Sequence, residues 1–213
     1  MDGASYQSLI KHYEGCLERH GDCHLGVDWP NPLDAATRYR VMLEVMGSDI
    51  SDPAASLLDF GCGTAHLRHY MVEQGITNIR YVGLDASAKF VEFSRAKYPE
   101  LEFYCIDALN HGTPLPPVDY VIMNGVLTEK RALSFDAMWD YAQQLLVRVF
   151  PAARRGLAFN VMSKHVDWER DDLFHLPFDL LASFLRTRLS RHIRFRADYG
   201  LYEYTAYVYR EPR

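Results

Sequence analysis

The chain reads as an α/β protein: a mostly parallel, doubly wound sheet that ends in an antiparallel hairpin. Three patterns predict this. Beyond Pro53, five short apolar runs (56–60, 79–84, 101–106, 118–123 and 156–161) have the composition of strands buried on both faces. Helical spacings fall between and after them, near 64–74, 87–97, 132–149 and 177–189, and strand–helix alternation calls for a parallel sheet. Finally, "HIRFRA" and "LYEYTAYVYR" are joined through Asp198-Tyr199-Gly200, which leaves no room for a crossover helix, so these two strands pair antiparallel.

Upstream of the alternating region the pattern is helical over about 5–20, then broken. "GVDWPNP", from Gly26 to Pro32, holds two prolines and a glycine and forbids a continuous helix. Helical spacing returns over 34–46, with Gly47 as the expected stop. At 213 residues the chain fits one domain, 1–213, with 1–50 as a helical lead-in and 53–213 as the core. A net charge of -5 argues against a nucleic-acid platform. The basic residues between Arg186 and Arg196 alternate with apolar ones, as on a solvated face. Met1 to Tyr6 carries no signal-peptide pattern, and no apolar run approaches the ~20 residues of a membrane span. Four cysteines, two of them in apparent core elements, fit free thiols in a reducing cytoplasm.

The stretch "LLDFGCGTAHL" (57–67) sets the chemistry. A strand runs into Gly61-x-Gly63, which lets backbone approach a ligand at the carboxyl end of the sheet. Yet Asp59 stands beside that turn. A carboxylate there would repel a pyrophosphate by about 4 kcal/mol at ~4 Å in a surface-like dielectric. His66 also occupies the place of a dinucleotide fingerprint's third glycine. The turn therefore suits a cation better than a phosphate. The next strand ends at Asp85-Ala86 in "YVGLDASA", where an acid can accept from both ribose hydroxyls or cap the following helix. The third ends at Asp107-Ala108 in "FYCIDAL", where a carboxylate and a backbone N–H can read an adenine edge. A ligand with a cationic amino-acid tail, a ribose and an adenine is S-adenosyl-L-methionine (SAM).

These segments resemble class I SAM-dependent methyltransferases. "LLDFGCGTA" matches the family's first motif, with Ala65 where many members have glycine, while "YVGLDAS" and "FYCIDAL" look like its ribose and adenine motifs. The resemblance implies a Rossmann-like three-layer sandwich with a seven-stranded sheet of order 3-2-1-4-5-7-6, the last-numbered strand antiparallel. It implies cofactor contacts from Asp59, Gly61, Gly63, Asp85, Ala86, Asp107 and Ala108, and places Asn124 beside the transferred methyl group. Residues ahead of the core often close over the methionine end in similar enzymes. By position Trp29 and Arg38 are candidates, with Arg38 either on the methionine carboxylate or a surface helix cation, and Trp29 either a lid or a plug.

The sulfonium is itself the activated group, so the protein must hold a nucleophile in line and exclude water; an oxygen acceptor also benefits from a base. The Asn/Asp-Pro-Pro-aromatic run of enzymes acting on exocyclic or amide nitrogens is missing at "MNGVL" (123–127), as is the paired-acid pattern of Mg-dependent catechol-type enzymes. A metal-free enzyme acting on a small molecule at O or N is the expectation, as monomer or homodimer, with no nucleic-acid or membrane partner. An unperturbed imidazole suits proton removal near neutral pH, so His165, just after the fifth strand, is the first candidate base, or simply a loop histidine; His175 and Glu129 follow. Trp29, Glu129 and Tyr199 are candidate acceptor contacts; Tyr199 and Tyr202 flank the final turn and equally fit core packing. Cys16, His20, Cys23 and His24 are zinc-capable, but "CLERHGDCH" has no common zinc spacing and is not read as a site. The alternatives are an inactive SAM-binding module, or a methyltransferase on RNA or protein.

Overall fold

The computed structural model describes residues 6–110 and 112–213. Met1–Ser5, part of the stretch read for a signal and the start of the expected first helix, lies outside the described residues. Helix α1 (Gln7–His20) is followed by a 3₁₀ turn, His24–Val27, and by α2 (Pro32–Leu43). Pro32 opens α2 at its first position and the Asn31 side chain accepts from Leu33 N–H at 3.1 Å, so the proline-rich loop is itself the helix start. α2 gives way to 3₁₀ geometry at Glu44, three residues before the expected stop. Gly47, with φ +54°, kinks that segment.

The core alternates as the patterns require: β1 (Ser56–Phe60), α3 (His66–Glu73), β2 (Arg80–Asp85), α4 (Ala88–Lys97), β3 (Glu102–Cys105), β4 (Val118–Met123), α5 (Phe135–Val149) and β5 (Ala153–Ser163). Then come β6 (His175–Leu176), α6 (Phe178–Arg188), β7 (His192–Arg196) and β8 (Glu203–Tyr209). The sheet order is β3-β2-β1-β4-β5-β8-β7, with β6 beside β5. Without that two-residue strand, too short for any periodic signal, this is the expected seven-strand order. β8 runs antiparallel to both β5 and β7, while the other pairs are parallel.

Burial follows position in the sheet. Every residue of β1, β4 and β8 is buried, whereas edge strands β3 and β7 are partly exposed. The Arg194 and Arg196 side chains of β7 pair with Glu44, which makes this basic stretch a paired surface. α5 buries Met138, Ala142, Leu145, Leu146 and Val149, one stripe at helical period, and starts with Ser134 Oγ accepting from Ala137 N–H at 3.1 Å. Ser87, not Asp85, caps α4, by accepting from Phe90 N–H. Asp85 stands at the end of β2, at the wall of a cleft. No helix among the described residues is long and apolar enough to cross a membrane.

Candidate active site

The turn after β1 is stitched to the end of β2. Gly61 and Cys62 N–H both donate to Leu84 O, at 2.7 and 3.0 Å, and Gly63 N–H donates to Asp85 Oδ2 at 3.0 Å. All three donors that a phosphate would seek are already used. A Cβ on Gly61 (φ +74°) would lie 2.6 Å from Val126 Cγ2, so the position tolerates only glycine. The turn therefore presents none of these three N–H groups to an anion.

Above the turn opens a cleft of about 1130 Å³, mouth included, which is lined by Asp59, Gly61, Gly63, Asp85, Ala86, Asp107, Ala108 and Asn124. Every cofactor residue expected from sequence is there except Arg38. Asp59 is buried and accepts from the Tyr81 hydroxyl at 2.6 Å. Burial pushes its carboxyl up to about 7, with the Tyr81 bond opposing and Asp85 adding to the rise. Asp85 accepts at one oxygen from Gly63 N–H and at the other from Ser87 N–H (2.9 Å), so backbone donors fix its carboxylate at the cleft wall. Asp107 receives Leu109 N–H at 3.1 Å and the Tyr6 hydroxyl at 2.6 Å.

Residues from α1 that sequence reasoning missed form the roof of the cleft: Tyr6, Leu9, Ile10 and Tyr13. Tyr6 stacks on Tyr141, ring centres 5.3 Å apart. Glu14 accepts from Ser87 Oγ at 2.6 Å, fastening the roof to α4. These residues carry no motif; only the spacing of apolar positions on an otherwise polar helix hints at them.

A second cavity, of about 900 Å³ with its mouth, is lined by Asp28, Trp29, Arg38, Gly125, Thr128, Glu129, Met162, Arg170 and Glu203 among others. Trp29 and Gly125 line both, so the cavities adjoin at the end of β4. Arg38 sits here and not at the cofactor: its Nε donates to Glu203 at 2.9 Å, and the guanidinium lies 5.2 Å from the Trp29 ring centre. Glu203 is buried and also accepts from Asn160 Nδ2 at 3.0 Å, while Asn160 Oδ1 accepts from Gly125 N–H at 2.8 Å. Glu129 is raised to about 7 by burial, with Asp28 adding and Arg131 opposing. The sequence offered weak signals for both Glu203 and Asn160: Asn160 is the one polar side chain of the run 156–161, and Glu203 the one acid of β8.

The histidines expected to act as bases do not reach either cavity. His165 is exposed and stacks on Phe178 at 5.5 Å, because β5 runs to Ser163 and carries the loop past the rim. His175 is buried, with Nδ1 bonded to Ser163 O at 2.6 Å and Nε2 accepting from Arg170 N–H at 3.2 Å. Both ring nitrogens are spent on structure. Tyr199 bonds Thr205 Oγ1 at 3.1 Å and Glu203 at 3.4 Å, behind the second cavity, and Tyr202 is exposed against Trp168.

The chain matches a family model described as a methyltransferase domain over residues 58–156. It is 28% identical over 159 residues to Rv1506c of Mycobacterium tuberculosis, a candidate methyltransferase, covering 72% of this chain and 92% of that protein. Magnesium protoporphyrin IX methyltransferase from Synechocystis PCC 6803, solved with bound SAM, superposes with a TM-score of 0.63 at 16% identity, over 96% of this chain and 97% of that one. These findings support a class I SAM-dependent methyltransferase. Its cofactor is S-adenosylmethionine, and it is an enzyme of that class. A 1,6-didemethyltoxoflavin-N1-methyltransferase from Burkholderia thailandensis shares the enzyme's fold, with a TM-score of 0.60 at 16% identity, over 96% and 89% of the two chains. The trans-aconitate 2-methyltransferase of an Azoarcus species is 31% identical over 93 residues, 44% of this chain and 36% of that protein.

The cleft fits the cofactor. Asn124 Oδ1 is buried with no hydrogen-bond partner among the described residues, an acceptor in the cleft lining that lacks a donor. Asp59 lies buried in the same lining, which holds no Lys or Arg among the described residues.

Proposed function

We propose that the enzyme methylates an oxygen or nitrogen atom of a small polar molecule held in the second cavity. The observation that carries this is the joint wall: Trp29 and Gly125 line both the cofactor cleft and a second, polar cavity that Asp28, Arg38, Glu129 and Arg170 help to line. A cavity of that kind selects a compact molecule with several polar groups and offers no long groove for a polymer. The relatives' names agree in kind, since protoporphyrin, trans-aconitate and a toxoflavin precursor are all small molecules.

SAM supplies a methyl group on a good leaving group, and the chain supplies position and charge. In this reading Asp59 and the unpartnered Asn124 Oδ1 hold the ammonium end, the Asp85 carboxylate takes the ribose hydroxyls, and Asp107 with Ala108 N–H reads the adenine. Trp29 closes the wall between cofactor and acceptor. Arg38 and Glu203 act from behind, fixing α2 against β8 so that the acceptor pocket keeps its shape.

Calorimetry with SAM and S-adenosylhomocysteine tests the cofactor assignments. Asp85→Ala removes two charge-assisted hydrogen bonds of about 1.5–3 kcal/mol each, so affinity should fall about 100-fold or more. Unchanged affinity would remove Asp85 from the site. Release of S-adenosylhomocysteine during incubation with a panel of hydroxylated and amino metabolites tests the acceptor class, and turnover only on RNA or protein would overturn it.

A further inference from the structure

A cluster of mixed donor atoms sits between the roof helix and the second cavity. His12 and Cys16 are four residues apart on α1 and so share a face. Asp28, which follows the 3₁₀ turn in the left-handed region (φ +56°), brings its carboxylate to them. One donor atom from each of the three lies within 4.8 Å of the others. Cys16 Sγ is 3.7 Å from His12 Nε2, Asp28 Oδ2 is 2.6 Å from it, and Glu129 Oε2 is 3.9 Å from it.

We propose that His12, Cys16, Asp28 and Glu129 form a binding site for a zinc-type divalent cation at the wall of the second cavity. One thiol sulfur, one imidazole nitrogen and two carboxylate oxygens are a borderline-soft set that suits zinc or cobalt, not the oxygen-only shells of magnesium and calcium. Bonds of about 2.0–2.3 Å in a tetrahedron put neighbouring donors roughly 3.3–3.7 Å apart. The sulfur–nitrogen and nitrogen–Glu129 separations already stand near that spacing. The His12–Asp28 pair is at hydrogen-bond distance and opens by less than about 1 Å when a metal takes the place of the proton.

Two arginines balance the cluster's charge without a metal. Arg19 Nη2 lies 3.2 Å from Cys16 Sγ; Arg131 Nη1 lies 3.4 Å from Glu129 and 3.7 Å from Asp28. Arg19 is exposed and Arg131 borders solvent, so both can swing outward. A bound cation would tie the roof of the cofactor cleft to two residues of the acceptor wall, Asp28 and Glu129, and so couple α1 to both sites. Of the four zinc-capable residues adjacent in sequence, only Cys16 belongs. Cys23 donates to His20 O and His24 Nδ1 bonds Trp29 O, away from the cluster.

The test is a Co²⁺ titration of EDTA-treated, reduced enzyme followed by absorption, with SAM calorimetry on the same samples. The expected result is one Co²⁺ per chain, with tetrahedral d–d bands and a thiolate charge-transfer band that Zn²⁺ abolishes. Cys16→Ser should lose the charge-transfer band, and His12→Ala and Asp28→Asn should weaken binding at least roughly tenfold. His20→Ala should change nothing. Absence of the bands, or a charge-transfer band that survives in Cys16→Ser, overturns the proposal. SAM heat at the wild-type level reports that each variant is folded. A chain that binds SAM but not Co²⁺ sinks this site alone, whereas one that binds Co²⁺ but not SAM sinks the methyl-transfer reading instead.

Discussion

At the scale of single residues, the site is a set of acids whose stability and function pull apart. Asp59 is held up to about 7 by burial, above its unfolded value, so it costs folding stability as pH rises from the ordinary carboxylate range through 7. A cationic ligand prefers the ionised form, so SAM affinity should rise with pH up to and through 7 and fall below it. Calorimetry between pH 5.5 and 8 reads this, and a flat profile would remove Asp59 from the ammonium site. Asp59→Asn should stabilise the ligand-free enzyme above neutral pH by on the order of 2–4 kcal/mol, read as a higher melting temperature, while weakening SAM binding. Arg38 behaves oppositely. Removing it strands Glu203 as a buried, unpaired carboxylate, so Arg38→Ala should cost about 3–5 kcal/mol in urea unfolding. If Arg38 were only a surface cation, the loss would be under ~1 kcal/mol.

At the scale of elements, helices and strands are placed by apolar stripes, and ligands by what is left over at their ends. α5 packs a five-residue stripe against the sheet. Leu146, fully buried in it, should cost about 2–5 kcal/mol on truncation to alanine, as a shift in denaturant midpoint without a change in SAM affinity per folded molecule. The stripes were readable, and so were the acids at the ends of β1, β2 and β3, because a strand end next to a glycine turn is a local event within a dozen residues. His165 and His175 were misread for the same reason. Their distance from β5 in sequence is short, but β5 runs on to Ser163 and pairs β6 through its last two residues, which leaves one histidine spent on backbone bonds and the other exposed.

At the scale of the whole molecule, α1 and α2 fold back over the core and finish two cavities that the sheet alone leaves open. SAM bound there stabilises the folded state by about 2.7 kcal/mol at 100 times its dissociation constant. For a chain of this length that is a rise in melting temperature of roughly 5–11 °C. A thermal scan with and without SAM checks it; no shift at saturation would mean that the cleft does not bind the cofactor in the folded enzyme.

The amino-acid sequence by itself determined the layer architecture, the antiparallel ending and the cationic preference of the first turn. Each depends on residues close along the chain, on apolar period, turn length and the sign of one side chain. Only the tertiary structure decided that Tyr6 meets Asp107, that Arg38 meets Glu203, and that His12, Cys16, Asp28 and Glu129 share one small volume. Those partners lie between 101 and 165 residues apart in the first two cases, and no periodicity links them. They meet because burying the apolar faces of α1 and α2 on the sheet brings their polar edges together, a consequence of packing that no local pattern encodes.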